Sequence, residues 1–413
     1  MRKELKVIII IIFFGILLGI SGNIIRRATF KGKVVSPFAK SFDLFSYFHK
    51  EERPKHIIYG YLPYWSLNAS EHLQYDKLTD IAYFGLYLQE DGSFKKLIID
   101  DQLEYEVEEP GYSAWHNNET LEKLIKKAKD RGVRVSLTII AHDDESNDKF
   151  LECRDCWNTF LGNLISELKV HKISSVNLNF EYYEYSDGDK SDVFAEFTEF
   201  VNTNLDEVFE DSYVVVSAFA DSIIKPRISS NVLELGKKAD GIFIMGYDFR
   251  RAVSDTAGPT APLKNKGKFY DYDLTTMLKD FLARVPPNKL ILGVPYYGYN
   301  WVVESEEPYS KRLEGSDDTG FSESQTYSSI IETILEVDPL VYWDENAEVP
   351  FFSYISPETE SLRMVYYDNA ESLKLKYDLI KQNNLGGVGI WALGYDGGYT
   401  ELWDLLYEEF VKE

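Results

Sequence analysis

Cysteine is nearly absent from this 413-residue chain: Cys153 and Cys156 stand together in the segment CRDC, and there are no others. A structural zinc site takes about four ligands, and neither a second cysteine pair nor a histidine pair accompanies this one. A thioredoxin-like redox context is missing as well. The pair is therefore expected to form a short structural disulfide outside the cytoplasm. Basic charge is also scarce. With 44 Lys and Arg against 68 Asp and Glu, the formal charge is −24, which argues against the basic surface that a nucleic-acid partner requires. The acidic excess reads as a solvated surface. No G-x-G-x-x-G turn follows the first strand-like run, so a nucleotide-binding fold lacks its signature. After the N-terminal segment no internal repeat or low-complexity tract stands out.

What is present is apolar and aromatic. Hydrophobic residues make up 44% of the chain and aromatic ones 15%, ample for a packed core. Residues 7–25 form an apolar run long enough to span a bilayer, preceded by Arg2, Lys3 and Lys6. No good small-x-small cleavage site follows it, so an uncleaved transmembrane anchor is expected in preference to a signal peptide. The short N-terminal tail is taken as cytoplasmic, residues 1–25 as tail and anchor, and residues 26–53 as a linker. The body, 54–413, would then be extracytoplasmic, or secreted if the segment is cleaved.

From residue 54 onward, strand-like runs alternate with helical ones. The spacing predicts strands at 56–65, 80–88, 133–140, 174–180, 213–219, 240–248, 289–297 and 386–394. Helical periodicity appears at about 118–131, 157–169, 192–209, 272–284, 369–383 and 399–412. Eight β-branched strands alternating with helices indicate parallel βαβ units and an α/β fold, a (β/α)8 TIM barrel. Residues 302–367 are too many for one helix and carry the strand-like VYWDENAEVPFFSY and LRMVYY, so a small α+β insertion is expected between strands seven and eight.

Barrel enzymes build their sites where the strands end. Strand four, SSVNLNFE, places Ser175, Asn177, Asn179 and Glu181 at two-residue spacing, hence on one face. With helices covering the other face, this ladder must point into the barrel, where each polar group needs a hydrogen bond. Satisfied by neighbouring strands, it could be no more than a structural polar layer. Strand six ends in Met245, Tyr247 and Asp248, and strand eight in Trp391.

These segments resemble glycoside hydrolase family 18, the chitinase-type barrels, and the resemblance covers nearly all of residues 56–413. The family's D-G-x-D-x-D-x-E signature corresponds to Ser174 through Glu181, with only the terminal Glu unchanged. MGYD (245–248), GPTAPL (258–263), KLILGVPYYGYNW (289–301) and AESLKLKYDLIKQNNLGGVGIWALGYD (370–396) follow the family pattern more closely. The arrangement also resembles the bacterial branch related to spore-cortex and cell-wall hydrolases, although no LysM-like repeat is visible.

The resemblance implies substrate-assisted retaining hydrolysis of β-linked N-acetylglucosamine polymers, an exception to two-carboxylate glycosidase chemistry. Glu181 aligns with the proton donor, and an enclosed site is expected to raise its pKa so that it stays neutral. Tyr247 aligns with the residue that hydrogen-bonds the acetamido carbonyl. Asp248 would position the sugar or the acid, and Trp391 would form the aromatic floor under the reacting ring. Asn177 and Met245 join the same site, and Tyr64, Trp65 and Trp301 are candidates for flanking sugar contacts. No cofactor or metal is implied, and the protein is expected to act as a monomer.

Asn179 departs from the family, which has an Asp there to stabilise positive charge on the acetamido group. An amide oxygen accepts the same hydrogen bond without the full negative charge, and one oriented group of this kind is worth roughly 3–4 kcal/mol. That corresponds to about a hundredfold to a thousandfold in rate. The chain therefore also reads as a catalytically weak, carbohydrate-binding relative, or as a scaffolding membrane protein without a glycan ligand.

Overall fold

Runs rich in Val, Ile, Leu and aromatic residues form strands that are buried on both faces, as parallel strands under a helical layer must be. A computed structural model describes residues 54–100, 105–181 and 189–412. Its strands are β1 (Ile57–Pro63), β2 (Asp80–Tyr87), the hairpin β3 (Leu97–Ile99) and β4 (Glu106–Glu108), and β5 (Arg134–Ala141). Next come β6 (Ser175–Phe180), β7 (Tyr213–Phe219), β8 (Gly241–Met245), β9 (Leu290–Pro295) and β10 (Tyr297–Val302). The last are β11 (Glu323–Thr326), β12 (Val341–Asp344), β13 (Val349–Ile355), β14 (Leu362–Tyr366) and β15 (Gly387–Trp391). Eight of them close into a parallel barrel in the order β1-β15-β9-β8-β7-β6-β5-β2. These eight are the expected strands, each matched in position, most with one or both ends trimmed.

Alternation along each strand divides the core in two. Val176, Leu178 and Phe180 of β6 point outward into the layer shared with the helices, where full burial of each such side chain is worth about 1.5–3 kcal/mol. Their neighbours Ser175, Asn177 and Asn179 are equally buried but face the interior, alongside Tyr61 of β1 and Ser217 of β7. Phe243 of β8 plugs the barrel between two glycines. A Cβ on Gly389 would lie 2.0 Å from its ring and one on Gly293 2.6 Å from it, so β9 and β15 can take no side chain there.

Helices Glu119–Asp130, Arg154–His171, Ser191–Val208, Leu274–Leu282 and Ala370–Gln382 occupy the predicted positions. Their starts are fixed locally: Asn118 accepts from the backbone N–H of Thr120 and Leu121, and Asn369 forms a capping box with Ser372. The expected last helix is a short one, Glu401–Leu406, continued by a wider turn at Tyr407–Val411. Helices Pro110–Asn117, Asp144–Glu152 and Val232–Lys238 were not anticipated. Cys153 and Cys156 form a disulfide between the helices Asp144–Glu152 and Arg154–His171.

The insertion is a five-stranded antiparallel sheet, β11-β10-β14-β13-β12, with helix Tyr327–Val337 against it. It begins at Tyr297 rather than 302, because β10 pairs with β11 and β14 and not with the barrel. The anchor expected at 7–25 and the linker 26–53 lie outside the described residues. Among those residues no helix is long and apolar enough to cross a membrane.

Candidate active site

β6 carries the ladder upward through the barrel, and each rung meets a different environment. Asn177 is fully enclosed: its Oδ1 accepts from Tyr61 Oη at 3.1 Å, and its Nδ2 donates to Ser217 Oγ at 3.2 Å and to the Val215 carbonyl at 3.3 Å. It is a structural rung, away from the cavity. Ser175 Oγ, lower still, is buried with no hydrogen-bond partner among the described residues. Asn179 and Glu181 stand at the mouth. Asn179 Nδ2 donates to Glu181 Oε1 at 2.9 Å and lies 2.9 Å from His142 Nε2, while His142 Nε2 is 3.2 Å from the same carboxylate oxygen. His142 follows directly on Ala141, the last residue of β5. Strand pairing of Ile140 with Asn179 brings the two ends together.

The electrostatics of Glu181 run against the sequence-based expectation. Its side chain is only 16% exposed, and burial pushes the carboxyl upward. The hydrogen bond and charge of His142, the amide of Asn179 and the charge of Arg251 outweigh that push, and the carboxyl sits below its ordinary value. Free of substrate, Glu181 is therefore an ionised group, not the neutral acid expected from enclosure alone.

Asp248 goes the other way. Burial raises its carboxyl, the hydroxyls of Tyr297 and Tyr299 and the charge of Arg251 oppose the rise, and the charge of Glu181 adds to it. Both tyrosines belong to β10 and donate to Asp248 Oδ1, Tyr299 at 2.8 Å. The insertion thus grips the end of strand six. Asp248 itself adopts a left-handed backbone, φ 63°, a conformation that costs a non-glycine residue about 1–3 kcal/mol and is common at sites under functional constraint. Burial also keeps the neighbouring Tyr247 hydroxyl protonated far above the ordinary phenol value.

A cavity of about 700 Å³ opens over these groups at the carboxyl ends of the strands. It is lined by Glu181, Asn179, Tyr247, Asp248, Met245 and Trp391, and by Trp65 at its rim. Trp391 packs edge-on against Phe84, with ring centroids 4.9 Å apart. Trp65, 48% exposed, donates from Nε1 to Tyr395 Oη at 3.3 Å. Two expected sugar contacts are elsewhere. Trp301 is fully buried in the core of the insertion, its Nε1 donating to the Arg251 carbonyl at 3.1 Å. Tyr64 does not line the cavity; it lies edge-on against Trp65 at 4.8 Å and supports that ring. Among the described residues, no group of three or more His, Cys, Asp or Glu side chains is placed to hold a metal ion.

Sequence reasoning missed His142, Arg251, Tyr297 and Tyr299. His142 had a signal, a titratable residue one step beyond the end of a barrel strand. The tyrosines had none, because Tyr297 reads as the end of strand seven and Tyr299 lies just beyond it.

Comparison with known proteins agrees with this architecture. The cortical fragment-lytic enzyme of Bacillus anthracis is 21% identical over 354 residues, covering 81% of this chain and 68% of that one. Di-N-acetylchitobiase of Homo sapiens is 25% identical over 203 residues, covering 44% of this chain and 50% of that one. The match spans only about half the length of the human relative. The spore cortex-lytic enzyme SleL of Bacillus megaterium QM B1551 superposes with a TM-score of 0.67 at 19% identity, covering 87% of this chain and 75% of that chain. At that identity the likeness speaks for the fold alone. Residues 55–396 match the profile described as glycosyl hydrolases family 18, and on that match the chain belongs to this family of glycosidases.

Proposed function

We propose that this protein hydrolyses β-linked N-acetylglucosamine polymers, of chitin or peptidoglycan type, by substrate-assisted retaining catalysis. The observation that carries the reading is the convergence of Glu181, Tyr247, Asp248 and Trp391 on one cavity at the carboxyl ends of the barrel strands. A GlcNAc ring would lie on Trp391, its apolar face against the indole. Tyr247, whose hydroxyl stays protonated, would donate to the acetamido carbonyl and hold its oxygen against the anomeric carbon. Glu181 would give a proton to the leaving oxygen as that bond breaks, and would later take one from the attacking water. Asn179 Oδ1 would accept from the acetamido N–H. Asp248, gripped by β10, would fix the position of Tyr247 beside it.

A second reading, a lectin-like protein that binds such polymers without cleaving them, draws on two observations: the neutral Asn179, and the ionised state of Glu181 before substrate binds. Turnover of a fluorogenic chito-oligosaccharide separates the two. The wild type should cleave it, and Glu181→Gln should lose about 10²–10⁴-fold in kcat while still binding the sugar. Binding without turnover in the wild type would favour the lectin reading, and an unimpaired Glu181→Gln would remove Glu181 as proton donor.

The chain is further proposed to work as a monomer, tethered to a membrane by residues 7–25 with its barrel on the extracytoplasmic side. Support for the tether is the apolar run and its basic flank.

A further inference from the structure

A proton donor that is ionised before its substrate arrives has nothing to donate. Glu181 faces this difficulty, and the side chain that depresses it also offers the remedy. His142 Nε2 lies 3.2 Å from Glu181 Oε1, close enough for a proton to pass directly. Two adjacent bases of this kind hold their protons jointly. With one proton between them, the pair is either an imidazolium beside a carboxylate or a neutral imidazole beside a carboxylic acid. The composition is the same and only the charge separation differs.

We infer that His142 is the proton store of Glu181: its Nε2 holds, in the open cavity, the proton that the carboxyl delivers to the leaving oxygen. This rests on the hydrolytic reading above. The His142 and Glu181 side chains are 36% and 16% exposed, so water still supports the separated charges. A sugar filling the cavity removes that water, and charge separation becomes costlier as the local dielectric falls. The Nε2–H bond then breaks as the Glu181 O–H bond forms. Next the O–H bond breaks as the leaving oxygen takes the proton. The anomeric C–O bond cleaves, and a lone pair of the acetamido oxygen forms the new bond to that carbon. In the second half, water adds its hydroxyl to the anomeric carbon as the bond to the acetamido oxygen breaks and its electron pair returns to that oxygen; the water's proton goes to Glu181, which returns it to Nε2. His142 touches no reacting atom and acts through Glu181, so its role is positioning and supplying the proton.

The amide at 179 fits this arrangement. Asn179 Nδ2 is 2.9 Å from both partners: it donates to Glu181 Oε1, and it can donate to His142 Nε2 once that nitrogen has passed its proton on. A carboxylate in its place would be a second anion beside Glu181 and a competing partner for the imidazole; the amide leaves Glu181 as the carboxylate that His142 touches. The amide at 179 and the histidine at 142 thus act together on Glu181. Other groups bear on the pair from each side. Arg251 contributes positive charge from the loop after β8, whereas Asp248 and the phenols of Tyr61 and Tyr247 interact with Glu181. The ring of Phe84 from β2 lies 6.3 Å from that of His142. On the imidazole's own side, Asp143 is engaged as a helix cap to the Ser146 N–H, and Asp144 follows it.

The test combines a pH profile with a titration that needs no turnover. For kcat/KM on the fluorogenic chito-oligosaccharide, His142→Gln should move the basic limb at least one pH unit toward acid. The reason is that a carboxyl in water loses its proton about two pH units below an imidazole. At the acid end, where Glu181 keeps its own proton, the variant should retain most of its turnover. By carboxyl NMR, Glu181 should lose its proton at a higher pH in His142→Gln than in the wild type, because the hydrogen bond and charge of His142 hold it down. An unmoved basic limb, or a Glu181 carboxyl indifferent to His142→Gln, overturns the inference. If no protein turns over the sugar, the hydrolytic reading falls, and the carboxyl titration alone decides whether the two side chains are coupled.

Discussion

Tyr247 and Asp248 are adjacent in the chain, and burial acts on both, yet their replacements should differ in kind. Tyr247→Phe removes one oriented donor from the place where the acetamido oxygen would sit, and should cost about 10²–10³ in kcat with little change in Tm. Asp248 carries a buried carboxyl whose pKa is raised in the fold. The sign follows: its contribution to stability is present below the ordinary carboxyl value and is lost as the pH rises through the raised one. Asp248→Asn removes that loss, so its Tm should exceed the wild type's at pH 7, with the gain shrinking toward pH 4. Thermal unfolding at the two pH values checks this, and a variant less stable than wild type at pH 7 contradicts it. The sequence disclosed Glu181, Asn179, Tyr247, Asp248 and Trp391 because a strand's period and a barrel's polarity determine where such side chains point. The pairing of His142 with Glu181 was not legible, since it depends on two strands far apart in sequence, β5 and β6, ending at the same height.

At the scale of elements, the barrel strands could be read directly because each is apolar on both faces and bounded by turns. Helix Asp144–Glu152 escaped notice because DESNDKFLE has little apolar periodicity; it buries Phe150 and Leu151 alongside Asn147 and Asp148. β10 escaped for a different reason. A single residue, Tyr296, separates it from β9, so the strand expected at 289–297 runs across the junction, and only pairing with β11 and β14 reveals the change of sheet. Trp301, a candidate sugar contact on the family resemblance, belongs to this strand. Buried in the insertion and holding the Arg251 carbonyl, it is a core side chain. Trp301→Ala should therefore cost about 3–5 kcal/mol of stability, read from denaturant unfolding. Oligosaccharide affinity per folded molecule should fall far less than on removal of Trp391, and an affinity loss equal to that of Trp391→Ala would restore Trp301 to the site.

For the whole molecule, a net charge of −24 surrounds a cavity in which Arg251 and His142 sit beside Glu181 and Asp248. The acidic exterior is a solubility feature, and the local pairs set the chemistry. The proposed tether makes its own prediction: full-length protein should sediment with membranes, while a chain beginning at residue 54 should stay soluble and keep its turnover. A full-length protein found in the soluble fraction would count against the anchor. The central claim is that the substrate's own acetamido group attacks the anomeric carbon and water then displaces it. Proton NMR of the first product formed from a β-linked GlcNAc oligosaccharide tests this most directly. The β anomer should appear first and mutarotate to α with time. Initial release of the α anomer would contradict substrate-assisted retention.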